Sequence, residues 1–199
     1  MTDTALPSTA RRLETAGAKT LVDLVTTFED LQTVLRCCER LVTELDAGGD
    51  QPDDILLEAV WTTALLSYAR CFAARPTGPV LVEDDVTTTV AHGDVLEWHR
   101  VLLRLREHYA DPVANPRERF SVGVAQDDDG SASGIVITSA RQPLVDDVTV
   151  RQTGAIAFAL SSLVDDRIAV QQQAVYDQVT GAGRADLDNL ALLDIALPG

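Results

Sequence analysis

The chain has 199 residues, 46% of them hydrophobic, which is enough to bury one ordinary core. Its formal net charge of -15 weighs against nucleic acid as a partner, because such binding needs clustered lysine and arginine. The same charge favours a basic protein partner. Alternatively, the acidic composition reflects the average composition of the proteome and indicates no particular partner. No apolar run approaches the roughly 20 residues of a membrane span, and the N-terminus has no signal-peptide pattern. Composition therefore predicts a cytoplasmic protein without a membrane segment.

The first half of the chain predicts three helices. Residues 1–17 carry little periodicity, so we expect a flexible N-terminus. From about Ala18, apolar residues recur every three or four positions and predict a long amphipathic helix that AGGD at 47–50 ends. The pattern predicts a second helix that begins near Pro52 and a third helix over 93–110. Between them, it predicts a loop over 80–92.

The hydrophobic period then changes. Alternating apolar residues predict a β-hairpin near 119–140, with an Asp-, Gly- and Ser-rich loop at its tip. A last long helix follows, capped by Thr149 or Thr153, and an apolar tail over 185–199 is predicted to dock on the core or on a partner. We therefore expect a mainly α fold, with residues 18–199 forming one bundle of four to five helices and a small hairpin inserted before the last long helix.

The sequence predicts neither a metal nor a cofactor site. Cys37 and Cys38 are adjacent and Cys71 lies in another predicted helix, so there is no Cys-x-x-Cys pair. The chain also has no phosphate-binding loop, no dinucleotide fingerprint and no His-Glu-x-x-His pattern. Reduced, buried thiols in a reducing compartment are the expected outcome.

The third predicted helix carries the residues best suited to phosphate or acid–base chemistry: His99, Arg106, His108 and Asp111. Seven residues separate His99 from Arg106, so the two share one helix face about 10 Å apart. His108 lies about 200° around the helix from Arg106, so those two face apart. The alternative for His99 is a structural hydrogen bond within the bundle, and for Arg106 an ion pair with Glu58, Glu97, Glu107 or Glu118.

The order of these residues resembles bacterial helical proteins of the HEPN type. The resemblance is carried by a helix with Trp61, Tyr68, Arg70 and Phe72, by the next helix with His99, Arg106, His108 and Asp111, and by Asn115 and Glu118 before the hairpin. Members with an intact Arg-x4-His motif are metal-independent ribonucleases whose motifs meet at a dimer interface. There the Arg holds the scissile phosphate and the His assists the ribose 2′-hydroxyl.

Arg106 matches the Arg of that motif, but the His position is occupied by Asp111. A carboxylate at neutral pH cannot donate a proton, and it repels a substrate phosphate. The resemblance therefore implies a non-catalytic binding or scaffold protein that forms a homodimer. The alternative is a HEPN-type ribonuclease that uses Arg106 with His108 or His99.

Overall fold

The computed structural model describes residues 9–47, 53–89, 94–113 and 115–193. The helices of this part of the chain are α1 (Ala16–Asp46), α2 (Asp54–Cys71), α3 (Glu83–Thr89), α4 (Val95–Ala110), α5 (Asp147–Thr180) and α6 (Arg184–Asp188). The strands are β1 (Ala10–Arg11), β2 (Glu118–Gln126), β3 (Ala132–Arg141) and β4 (Leu192–Leu193). The predicted mainly α fold, with a hairpin before the last long helix, is confirmed. None of the described helices is long and apolar enough to cross a membrane.

The helices begin where short polar side chains can accept hydrogen bonds from free backbone N–H groups. Asp53 caps α2 by accepting from the backbone N–H of Ile55 and Leu56 at 3.0 and 3.1 Å. Asp146 caps α5 by accepting from Thr149 N–H at 2.7 Å. The prediction that Thr149 or Thr153 caps this helix was therefore wrong, because the carboxylate three residues before Thr149 takes that role.

The core lies where α1 packs against both α2 and α5, with α4 added on α2. The apolar side chains there are fully or almost fully buried: Leu31, Val34, Leu41, Leu57, Leu65, Leu102, Val150, Leu160 and Val164. Leucine and valine dominate because aromatic residues make up only 5% of the chain. This packing places α2 and α4 side by side, and with them the residues that the sequence singled out.

The segment predicted as a loop over 80–92 contains α3, which packs against α4 and α5. Asp85 accepts from Val82 N–H at 2.9 Å and is contacted by Arg167 of α5 through Nη2 at 2.5 Å. Short-range periodicity does not reveal this helix, because it is held by an ion pair with a residue 82 positions away. Residues 90–92 of the predicted loop lie outside the described residues.

The two ends of the described chain meet. Strands β1 and β4 pair antiparallel, and Arg11 donates to the carbonyl of Leu190 at 2.9 Å. The part of the tail up to residue 193 thus pairs with the N-terminal segment, and Leu192 within it remains 64% exposed. The predicted flexible segment 1–17 and the tail 185–199 are described only from residue 9 onward and up to residue 193.

Candidate functional site

His99 is closed inside the bundle. Its side chain is 1% exposed, and its Nδ1 is joined to the Tyr68 hydroxyl by a hydrogen bond of 2.9 Å. The Phe72 ring lies against it, with 4.4 Å between ring centroids. Tyr68 and Phe72 are one turn apart on α2, so α2 presents both to the same point on α4. His99 therefore has the structural hydrogen bond that was the alternative to a catalytic role.

Burial also fixes the charge state of this pair. It lowers the pKa of His99 below its ordinary value of 6.5, because a buried imidazolium loses its hydration; nearby Glu83 acts in the opposite direction. Burial raises the pKa of the Tyr68 hydroxyl, so both groups are neutral at physiological pH. A neutral pair sealed from solvent cannot reach a substrate, but it satisfies two polar groups within an apolar environment.

Arg70, which belongs to the residues of the resemblance, lies at the end of α2 and binds Asp30 of α1. Its Nε and Nη2 approach Asp30 Oδ1 at 2.9 and 2.6 Å, and Nη2 also contacts Ser67 Oγ at 3.0 Å. The hydrogen bond to Asp30 raises the pKa of Arg70. Asp30 is only 9% exposed. The sequence analysis missed Asp30, although a carboxylate on the apolar face of α1 is the signal that would have revealed it.

Arg106, His108 and Asp111 are all exposed near the C-terminal end of α4. Arg106 shares its helix face with His99, yet His99 is buried and Arg106 is exposed. The reason is that α3 and the Phe72 end of α2 lie beside the His99 turn of α4. The predicted candidates therefore do not converge on one site in the described part of the chain.

Asp111 has a local structural function. It is the C-cap residue of α4, and its Oδ1 accepts from Val113 N–H at 2.8 Å. This contact closes the turn that leads from α4 toward the hairpin, which is the usual use of aspartate at such a position. The Asp111 side chain therefore stabilises the end of α4.

Two of the carboxylates predicted as ion-pair partners of Arg106 bind other arginines. Glu58 pairs with Arg117 at 2.6 Å, and Glu97 pairs with Arg104 at 3.0 Å. Within the described residues Arg106 forms no ion pair. Arg106 is exposed on the surface of α4.

A cavity of about 480 Å³ lies where the hairpin meets α2 and α4. Tyr109 of α4 lines it, together with two ion pairs, Arg117 with Glu58 and Arg141 with Asp54. The pKa of Tyr109 is raised, first by burial and then by the charge of Glu58. Because each arginine faces a carboxylate, the polar lining is neutralised, and the cavity has no unbalanced charge to attract an ionic substrate.

The described residues contain no group of three or more His, Cys, Asp or Glu side chains placed to hold a metal ion. All three cysteines are free thiols. Burial raises the pKa of Cys38 and of Cys71 to about 12, so both are protonated and poor nucleophiles.

Comparison with known proteins finds no matching family model and no significant match among curated proteins or solved structures. The resemblance to HEPN-type proteins thus rests on the quoted residues.

Proposed function

We propose that this chain is a non-catalytic, HEPN-like helical protein that binds or organises a partner and acts as a homodimer. The observation that carries the proposal is the separation of the motif residues. His99 is 1% exposed and bonded to Tyr68, whereas Arg106 is exposed on the same helix. Surface residues without a proton-transfer partner suit binding better than catalysis.

RNA cleavage without a metal needs a phosphate-binding cation and a proton acceptor directed at one substrate. Arg106 and His108 are both exposed, but a spacing of two residues turns them about 200° apart on α4. Asp111, at the position of the motif histidine, accepts a backbone hydrogen bond, and a carboxylate there would repel a substrate phosphate. This arrangement disfavours the ribonuclease alternative.

Charge and thiol chemistry support a proposal for the partner and the compartment. A net charge of -15 repels RNA at long range and attracts a basic protein surface. Three free thiols, two of them buried, are typical of a reducing compartment, which supports the proposal of a cytoplasmic protein. Thirteen ion pairs within the described residues still leave the surface predominantly acidic.

A single-turnover assay on mixed-sequence RNA with EDTA tests the absence of nuclease activity. We expect no cleavage above the buffer background from the wild type or from Arg106→Ala. Arg104→Ala is the matched control, since Arg104 is an exposed arginine on the same helix that pairs with Glu97. Cleavage that is lost in Arg106→Ala and kept in Arg104→Ala would overturn the proposal.

The same assay on Asp111→His tests the link to the HEPN motif. Cleavage that appears in Asp111→His, while the wild type is silent, would support a family member that has lost its histidine. Light scattering after size-exclusion chromatography tests the dimer, with an expected mass of twice 21.4 kDa. A mass of 21.4 kDa at micromolar concentrations would refute homodimerisation.

A further inference from the structure

The β-hairpin formed by β2 and β3 carries apolar side chains that the rest of the described chain does not cover. Its base is tied to α2 by two ion pairs, Arg117 with Glu58 and Arg141 with Asp54. Beyond the base, nearly every residue of both strands is exposed. A two-stranded hairpin is at best marginally stable by itself in water, so a partner surface would stabilise it.

The register places the large apolar residues on one face. Val122 is paired with Ile137 and Val124 with Ile135, and residues directly opposite one another point to the same side of an antiparallel sheet. Phe120 lies on that side as well, since it is two residues from Val122. These five side chains are between 57% and 71% exposed. We call this surface the hairpin apolar face.

The other face has a different composition. It carries Ser121, Gly123, Ala125 and Thr138, with Val136 as its one large apolar residue. The two faces thus differ along their full length, as in a sheet that buries one side. The asymmetry indicates that the apolar face is covered when the protein is in its working state.

We infer that the hairpin apolar face is the interface of the proposed homodimer, and that two hairpins pack face to face and antiparallel about a two-fold axis. This inference rests on the proposed homodimer and names its surface. The five side chains expose an area on the order of 500 Å² per copy, so burying the face in both copies removes roughly 1,000 Å² from water, which reaches the lower limit of a specific interface.

The charge distribution along the hairpin fits a second copy in the antiparallel orientation. The tip carries Asp127, Asp128 and Asp129, whereas at the base Arg117 and Arg141 pair with Glu58 and Asp54, and Arg119 follows Glu118. Antiparallel packing keeps the two acidic tips apart and places each of them beside the charge-balanced base of the other copy. Parallel packing would place the two acidic tips together, which is unfavourable. The apolar face between these ends carries no charged side chain, so it is self-complementary.

Molar mass measured by light scattering tests the assignment. We expect twice 21.4 kDa for the wild type and 21.4 kDa for Ile137→Glu, which places a charge at the centre of the face. Thr138→Glu is the matched control, because Thr138 is the next residue on β3 but points to the opposite face; its mass should equal that of the wild type. Ile137 is 70% exposed, so unchanged melting of the helical signal shows that Ile137→Glu still folds.

The outcomes separate this inference from the proposal on which it rests. A dimer that persists in Ile137→Glu would overturn the hairpin interface and leave the homodimer intact. A monomeric wild type would overturn both, and the hairpin apolar face would then belong to a different partner. Dimer loss in Thr138→Glu to the same extent as in Ile137→Glu would also overturn the assignment to one face.

Cysteine cross-linking tests the orientation, in a Cys37→Ser background that removes the most accessible native thiol. Phe120 lies toward the base and Val124 toward the tip of the same face. Antiparallel packing predicts that a mixture of Phe120→Cys and Val124→Cys proteins forms disulfide-linked heterodimers at least tenfold faster than either protein links to itself. Faster self-linkage of each variant would refute the antiparallel arrangement.

Discussion

The hydrogen bond between Tyr68 and His99 gives a direct test of how the α2–α4 contact is stabilised. In Tyr68→Phe the ring keeps its position beside Phe72, with which the tyrosine ring now has a centroid distance of 5.3 Å. Only the hydroxyl is lost, and with it the 2.9 Å hydrogen bond to Nδ1. Because His99 is 1% exposed, water cannot replace the missing partner without opening the core.

An unsatisfied buried polar group costs about 1–3 kcal/mol, so the free energy of unfolding should fall by that amount. For a chain of this size, each kcal/mol lowers Tm by about 2–4 °C. The double variant Tyr68→Phe with His99→Phe removes both polar groups and keeps an aromatic ring against Phe72. It should therefore lose less than the sum of the two single variants, with a coupling of about 1 kcal/mol or more.

The same pair predicts a pH dependence whose sign follows from the lowered pKa of His99. In the unfolded state His99 binds a proton near pH 6.5, whereas in the folded state it stays neutral to lower pH. Below about pH 6.5 the unfolded state therefore binds more protons, and stability falls as pH falls, by at most about 1.4 kcal/mol per pH unit. His99→Phe should remove this contribution.

Urea unfolding followed by circular dichroism between pH 5.5 and 7.5 measures both effects. His108 is exposed and remains in every variant, so its contribution to the pH dependence of stability is the same in all of them. Additive losses in the two single variants, or an identical pH slope in the wild type and His99→Phe, would refute the reasoning and show that the two side chains are not energetically coupled.

Two further predictions concern other buried groups. Arg70→Met should lower the free energy of unfolding by about 1–3 kcal/mol, because it leaves the Asp30 carboxylate, which is 9% exposed, without its partner. The double variant with Asp30→Ala should recover part of this loss. An unchanged urea midpoint in Arg70→Met would contradict the prediction. A thiol reagent should label only Cys37 in the folded protein, because burial raises the pKa of Cys38 and Cys71 to about 12. Rapid labelling of more than one thiol per chain before unfolding would show that the core is open to the reagent.

Much of the architecture follows from local sequence patterns. The apolar residues between Ala18 and Leu45 recur with the helical period, and α1 runs from Ala16 to Asp46. The change to period two predicts the hairpin near 119–140, and the strands span Glu118–Gln126 and Ala132–Arg141. These elements are determined by interactions within a few residues, so local sequence patterns are sufficient to predict them.

The sequence by itself also determined which residues could carry chemistry, but not where they lie. Spacing puts His99 and Arg106 on one face of α4, and only the packing of neighbouring helices buries the first and exposes the second. The contact between Asp30 and Arg70, 40 residues apart, is likewise decided by the way α1 meets α2. Helical periodicity fixes directions around one axis, whereas burial depends on which other element covers each turn, and that is settled only when the whole core forms.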